Sequence, residues 1–218
     1  MKSELNHHYI GNSYGGNQDW FRTYWMRLGG CGVETACESS IYFAREFGMT
    51  ELYPFDCKEI NRKEYVDFAH IMEPYLSPRL TGINKLSIYV DGYSRYLRDA
   101  GEERIAVDAF GGDNPYKVAA EKVKLQIDAG LPIPFLTLRH KDKRYEEYVW
   151  HWYLVNGYEE TLEGLKVKAV TYSEYKWLDL RGLWNTGSKP TGGMIIYKVL
   201  GQQSIGHNHG NTIANAII

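Results

Sequence analysis

Gly29-Gly30-Cys31-Gly32, which runs directly into residues 33–47, is the stretch that most constrains the fold of this chain. Apolar and small side chains recur in residues 33–47 at the spacing of one helix face, and Gly48 follows where a left-handed cap belongs. We therefore expect Cys31 at a helix N-terminus, where free N–H groups and the helix dipole favour a thiolate and lower the cysteine pKa. The glycines are expected to leave room for a substrate backbone beside the sulfur.

Composition and charge exclude several classes of protein. A chain of 218 residues, 44% hydrophobic and 24% charged, suits one large globular domain or two lobes that share a core. The net charge of −2 predicts neither a nucleic-acid partner nor an anionic membrane surface. No apolar run has the length of a membrane span, and residues 1–8 lack the apolar core of a signal peptide.

The cysteine count bears on the compartment. Three cysteines form no disulfide framework, so we expect free thiols and a cytoplasmic protein, or a secreted one if a leader has been removed. Cys37 falls on the inner face of the predicted helix and is expected to be a buried core thiol.

The order of the predicted elements indicates an α+β fold. Residues 131–138 form a predicted strand whose two prolines suggest an edge position or a strand start. The tail, residues 201–218, shows little pattern. The other predicted helices cover residues 61–76, 83–100 and 113–130, and the other predicted strands cover residues 148–158, 165–172, 175–180 and 194–200.

A nucleophilic cysteine needs a partner that accepts its proton and later protonates the leaving group, and histidine does this near neutral pH. Among the seven histidines, His151 is the best candidate, because it lies in a predicted strand and therefore in a different element from Cys31. The neighbouring rings of Trp150 and Trp152 are expected to shield the pair from water.

Two segments together resemble the papain-like cysteine peptidases, and most nearly the branch of the bacteriocin-processing, double-glycine leader peptidases. The first runs from Gln18-Asp19 to Gly29-Gly30-Cys31-Gly32-x-x-x-Ala36. The second joins Ala129-Gly130-Leu131-Pro132-Ile133-Pro134 to His151-Trp152-Tyr153-Leu154-Val155-Asn156-Gly157-Tyr158. The resemblance covers about residues 17–200.

The resemblance implies a single papain-like peptidase domain over residues 1–218. A helical lobe of about residues 17–130 would pack on a twisted antiparallel β lobe of about residues 131–200, followed by an irregular tail, residues 201–218. The active site would lie in the cleft between the two lobes.

The resemblance also implies site roles. Cys31 would be the nucleophile, His151 the general base and then the acid, and the Gln18 amide would stabilise the oxyanion with the Cys31 backbone N–H. The family orients its histidine with Asp or Asn on the following strand, but residues 168–174 contain neither. Thr171 is the nearest match, while Glu174 or Asp179 would serve if the strand register differs.

The predicted function is that of a cysteine peptidase or amide hydrolase acting on a peptide or amide substrate, with no cofactor and no metal. Two alternatives stay open. One is acyl transfer by the same pair, as in a transglutaminase-like or acyltransferase enzyme. The other is a catalytically degenerate member that binds peptides, which the missing Asp or Asn favours. The Gly-Gly specificity of the leader peptidases does not transfer automatically, because specificity depends on the side chains of the cleft, and the oligomeric state stays open.

Two further groups of polar residues are expected to lie exposed on the surface. The His7-His8 pair and the His207-Asn208-His209 run suggest a metal site, but we expect exposed polar residues there instead. Residues 141–147 are interpreted as a solvated hairpin that overhangs the cleft, because they lead into His151.

Overall fold

The computed structural model describes residues 1–78 and 82–200. The helices are α1 (Tyr24–Gly29), α2 (Cys31–Glu46), α3 (Arg62–Met72), α4 (Leu86–Asp99), α5 (Tyr116–Asp128) and α6 (Leu180–Trp184). The strands are β1 (Lys2–Glu4), β2 (Tyr9–Ile10), β3 (Ser13–Tyr14), β4 (Ile105–Gly111), β5 (Ile133–Thr137), β6 (His151–Thr161), β7 (Gly164–Thr171), β8 (Glu174–Asp179) and β9 (Gly192–Val199). Short 3₁₀ helices cover Gln18–Trp20, Thr50–Leu52 and Lys143–Tyr148.

Seven strands form one antiparallel sheet in the order β4-β9-β5-β6-β7-β8, and β1 joins it through β6. The first half of β6 pairs with β5, where His151 lies opposite Thr137. Its second half pairs with β1, where Tyr158 lies opposite Ser3. The mixture of helices with an antiparallel sheet agrees with the predicted α+β class.

Helices cover both faces of this sheet. Trp152 points into the core shared with α2, whereas the next residue, Tyr153, points into the core shared with α5. This alternation is the ordinary consequence of the two-residue period of a strand. Residues 17–130 are therefore not a purely helical lobe: they supply β4 to the sheet edge, and α5 packs on the face opposite α2.

Local sequence signals set the helix ends. Gly48, Gly101 and Gly130 follow α2, α4 and α5 with φ of +66°, +82° and +75°, a region that glycine enters without steric cost. At the other end, the Asn61 side chain accepts a hydrogen bond from the Glu64 N–H and caps α3.

The prolines of the fifth strand do not mark a sheet edge. β5 lies between β6 and β9, so the edge interpretation is wrong and the strand-start interpretation is right. Pro134 is tolerated there because β9 pairs only with Phe135, Leu136 and Thr137, which leaves the beginning of β5 unpaired on that side. Among the described residues, no helix combines the length and the apolar character needed to cross a membrane.

Candidate active site

A cleft of about 580 Å³ is lined by residues from the N-terminus of α2, the start of β6 and the turn after β7. Three of the sequence-predicted site residues, Gln18, Cys31 and His151, line it. The fourth, Thr171, is not part of the cleft lining but is hydrogen-bonded to His151. The structure therefore brings together four residues that lie far apart in the sequence.

Cys31 is the first residue of α2, and the residue is only 6% exposed. The glycine before it serves internal packing, since a Cβ on Gly30 would lie 2.3 Å from the Met26 carbonyl oxygen. Gly32 likewise packs against Ile83. Of the glycines around the cysteine, Gly29 is the one that lines the cleft, so the predicted room for a substrate backbone applies to it.

The expected lowering of the Cys31 pKa is wrong. Burial raises the pKa of the thiol to about 11, although the backbone N–H groups of Trp152 and Gly32 favour the thiolate. The Glu34 carboxyl adds to the increase. Burial destabilises the Cys31 thiolate more than the helix N-terminus stabilises it. The resting form of Cys31 is therefore the neutral thiol.

His151 begins β6, and its Nε2 lies 2.8 Å from Thr171 Oγ1 at the end of β7. Burial lowers the pKa of His151 to about 4, so the imidazole is neutral at pH 7. When Nε2 carries the proton it donates to the Thr171 hydroxyl, and Nδ1 keeps the lone pair that a general base needs.

The two carboxylate alternatives to Thr171 have other partners. Asp179 caps α6 by accepting hydrogen bonds from the N–H groups of Arg181 and Gly182. Glu174 is exposed and lies 3.6 Å from the ammonium of Lys176. Thr171 is thus the one of the three that is hydrogen-bonded to the imidazole.

Tyr172, which the sequence did not single out, covers the imidazole. Its ring stacks on His151 with a centroid distance of 4.8 Å and an interplanar angle of 1°. The predicted shielding by the tryptophans is therefore incorrect in part: Trp152 is buried in the core, where it donates to the Ile83 carbonyl, and Trp150 stands half-exposed at the rim of the cleft.

Backbone strain concentrates beside the histidine. Within the described ranges, three non-glycine residues have positive φ: Trp150 (57°), Tyr172 (52°) and Ser173 (65°). Tyr172 and Ser173 form the two-residue turn between β7 and β8, and positive φ at both positions is the type I′ geometry. Trp150 immediately precedes His151. Such strain is costly for bulky residues and is found most often at functional sites.

Gln18 is buried in a 3₁₀ helix and lines the cleft. Its Nε2 donates to the Arg27 carbonyl at 2.9 Å. An amide nitrogen carries two N–H groups, so the second remains for a group bound in the cleft.

Glu34 was missed by the sequence reasoning. Its buried carboxyl group accepts a hydrogen bond from the Gln18 backbone N–H at 3.0 Å and interacts with the Tyr172 N–H. Burial and the nearby Glu38 raise the pKa of Glu34 to about 8. Glu34 is therefore bonded to two segments of the site: the segment that carries Gln18 and the turn whose Tyr172 covers His151. The available signal was an acidic residue three positions after Cys31, on the inner face of the helix.

Of the remaining predictions from the sequence, some are confirmed and others are wrong. Cys37 is buried as expected. His7 and His8 are buried, so their predicted exposure is wrong, while His207 and His209 lie outside the described residues. Part of the 141–147 stretch belongs to a 3₁₀ helix, Lys143–Tyr148, and is not a hairpin, although Glu147 does line the cleft.

No family model, curated protein or solved structure matches this chain. The chemistry of the cleft is therefore the basis on which a function can be assigned.

Proposed function

We propose that this chain is a thiol hydrolase of the papain-like class that cleaves a peptide or amide bond through an acyl-enzyme on Cys31. One observation carries the proposal: a cysteine at a helix N-terminus and a neutral histidine, hydrogen-bonded through Nε2 to Thr171, line the same cleft. The α2 helix packs against the antiparallel sheet, as this class requires.

Both groups start neutral, so proton transfer accompanies attack. The Cys31 proton passes to His151 Nδ1 as the sulfur forms a bond to the substrate carbonyl carbon. The imidazolium then protonates the leaving amine as the C–N bond breaks, which leaves a thioester on Cys31. His151 next removes a proton from water, and the resulting attack releases the acid and restores the thiol.

The developing oxyanion needs hydrogen-bond donors. The Cys31 backbone N–H at the first position of α2 and the free N–H of the Gln18 amide are the donors in this proposal. Each such donor contributes on the order of 3 kcal/mol of transition-state stabilisation.

The rim of the cleft indicates an apolar or aromatic side chain near the scissile bond. Trp25 and Leu28 on α1 and Trp150 before β6 line the cleft and are exposed. Exposed aromatic anchors of this kind contribute strongly to recognition when a ligand buries them.

The test is hydrolysis of N-acylated amino-acid p-nitrophenyl esters and of a quenched-fluorescence peptide library. We expect Cys31→Ala to abolish turnover with folding intact, whereas Cys57→Ala, at a half-buried thiol outside the cleft, keeps full activity. Residual turnover above a few percent in Cys31→Ala contradicts the assignment. Amide formation with an added amine, in preference to acid, identifies acyl transfer.

A second candidate is a catalytically degenerate module that binds peptides in the same cleft. The raised pKa of Cys31 and the hydroxyl of Thr171, in place of a carboxylate or amide, favour it. Peptide binding that survives Cys31→Ala, together with no turnover by the native chain, identifies this candidate.

A further inference from the structure

A buried cluster of His7, His8 and Glu38 lies outside the cleft and has no role in the proposed chemistry. The Nε2 atoms of His7 and His8 each lie 3.0 Å from the same oxygen, Glu38 Oε2. The side chains of the histidines are 0% exposed and that of Glu38 is 4% exposed.

Hydrogen bonding does not satisfy this cluster. Neither ring nitrogen of His7 or of His8 has a hydrogen-bond partner among the described residues, and Glu38 Oε2 has none either. The short separations therefore lack the angles of hydrogen bonds. A buried polar group left in this state has lost its hydration without gaining a partner, so a native fold is expected to satisfy these groups in another way.

We propose that His7, His8 and Glu38 bind a divalent transition-metal ion, with Zn²⁺ as the best fit. Two imidazoles and one carboxylate form a known zinc ligand set. One ligand atom from each residue lies within 4.8 Å of the other two. Ligands about 2.0–2.2 Å from a tetrahedral zinc stand about 3.3–3.6 Å apart, so each 3.0 Å separation between Nε2 and Glu38 Oε2 needs to open by about 0.3–0.6 Å.

The described residues around the cluster leave space and an unbonded carboxylate oxygen for an ion. The Gly16 N–H donates to the other carboxylate oxygen, Glu38 Oε1, at 2.9 Å and leaves Oε2 for the ion. At Gly15, a Cβ would lie 2.9 Å from both Glu38 Oε2 and His7 Nε2, so glycine keeps the space beside the ligand atoms free. The Tyr65 hydroxyl, also buried and without a partner among the described residues, interacts with Glu38.

The ion would fasten the N-terminal segment to α2. His7 and His8 precede the short hairpin of β2 and β3, whereas Glu38 lies two turns into α2. Gly15 and Gly16 lead directly to Gln18, whose N–H is held by Glu34 one turn before Glu38. Metal binding would therefore stabilise the segment that positions Gln18, and it does not depend on the proposed hydrolase activity.

The experiment uses the full chain with Cys31→Ala, which removes the cleft thiol as a competing ligand. After treatment with a chelator, Zn²⁺ is added, excess is dialysed away, and zinc per chain and thermal unfolding are measured. We expect about one Zn²⁺ per chain and a Tm increase of about 5–15 °C. Glu38→Gln and His8→Gln are expected to weaken Zn²⁺ affinity more than about 100-fold.

His70→Gln is the matched control, because His70 pairs with Glu73 at 2.9 Å on a partly exposed helix face outside the cluster. It should leave the zinc content unchanged. A folded chain that takes up no Zn²⁺, Co²⁺ or Ni²⁺ overturns the proposal, as does uptake that is equal in Glu38→Gln.

If the cluster variants fail to fold, zinc-edge X-ray absorption of the parent chain decides. Imidazole scattering with a nitrogen and oxygen shell at about 2.0–2.1 Å supports the site, whereas a sulfur shell at about 2.3 Å refutes it.

Discussion

Replacing Thr171 with valine removes the hydroxyl that holds the His151 imidazole and changes little else, because the two side chains have nearly the same shape. The Oγ1–Nε2 distance is 2.8 Å, and both residues are buried. In Thr171→Val, the Nε2 proton loses its partner in a place that water reaches poorly. We expect a moderate loss of stability and a separate loss of activity.

The magnitude follows from the charge on the imidazole. A hydrogen bond between neutral groups contributes about 1 kcal/mol to stability, and we expect a loss of that size. During acylation the imidazole becomes a cation, and hydrogen bonds to charged groups are worth about 1.5–3 kcal/mol. Because kcat/KM compares the transition state with the free enzyme, only the difference of about 0.5–2 kcal/mol counts, and at about 1.4 kcal/mol per factor of ten kcat/KM should fall about 2- to 30-fold.

The assay is ester hydrolysis at pH 7 with thermal unfolding measured in parallel. Thr171→Ser keeps the hydroxyl and should stay within about threefold of the native rate. Thr171→Asn offers a carbonyl acceptor that enforces the Nε2–H tautomer, so its rate should equal or exceed the native one. Ser40→Ala is the remote control: it breaks a buried 3.0 Å hydroxyl contact with Tyr93, so it should lower stability but not activity.

Equal kcat/KM in Thr171→Val and the native chain would refute the role given to this hydrogen bond. Equal loss in Thr171→Val and Ser40→Ala would refute it as well, because the effect would then be one of stability alone.

Three more predictions concern other residues of the site. Folding raises the Glu34 pKa from 4.5 to about 8, so the contribution of Glu34 to the free energy of unfolding should fall as the pH rises between these values; Glu34→Gln should remove that contribution, as urea titrations of the native and variant chains at several pH values will show. Gly30→Ala places a Cβ 2.3 Å from a backbone oxygen and should cost more than about 3 kcal/mol in denaturant unfolding, whereas Gly48→Ala, with open space around it, should cost about 1 kcal/mol. Trp25→Ala should raise KM for substrates with apolar side chains, while Tyr24→Ala, exposed but outside the cleft lining, should not, in the same ester assay.

Local patterns predicted the elements that present the site. Cys31 begins a helix because the apolar period starts shortly after it and Gly48 provides the cap, and both signals lie within the eighteen residues 31–48. His151 lies on a strand because its neighbours are aromatic and β-branched. Its contact with Thr171 follows from the adjacency of β6 and β7 in one sheet.

Properties that depend on contacts between residues far apart in the sequence could not be predicted from local patterns. β4, for which the sequence predicted no strand, joins the sheet by pairing with β9, about ninety residues later, and nothing in its own seven residues indicates that partner. The pKa of Cys31 depends on how completely α2 is covered by the sheet, which helix periodicity does not report. His7 and His8 are buried because Glu38 and Gly15 enclose them, and Glu38 lies about thirty residues further along the chain.

Trapping the acyl-enzyme tests the roles of Cys31 and His151 most directly. The native chain is mixed with an N-acylated amino-acid p-nitrophenyl ester, quenched in acid within seconds, and mapped by mass spectrometry. Cys57, half-buried outside the cleft, is the internal control, and His70→Ala controls for the loss of a histidine elsewhere. We predict one acyl group on Cys31 and an acylation rate at least about 1,000-fold lower in His151→Ala. Acylation of Cys57 to the same extent, or an unchanged rate in His151→Ala, would contradict the assignment of Cys31 and His151 as nucleophile and base.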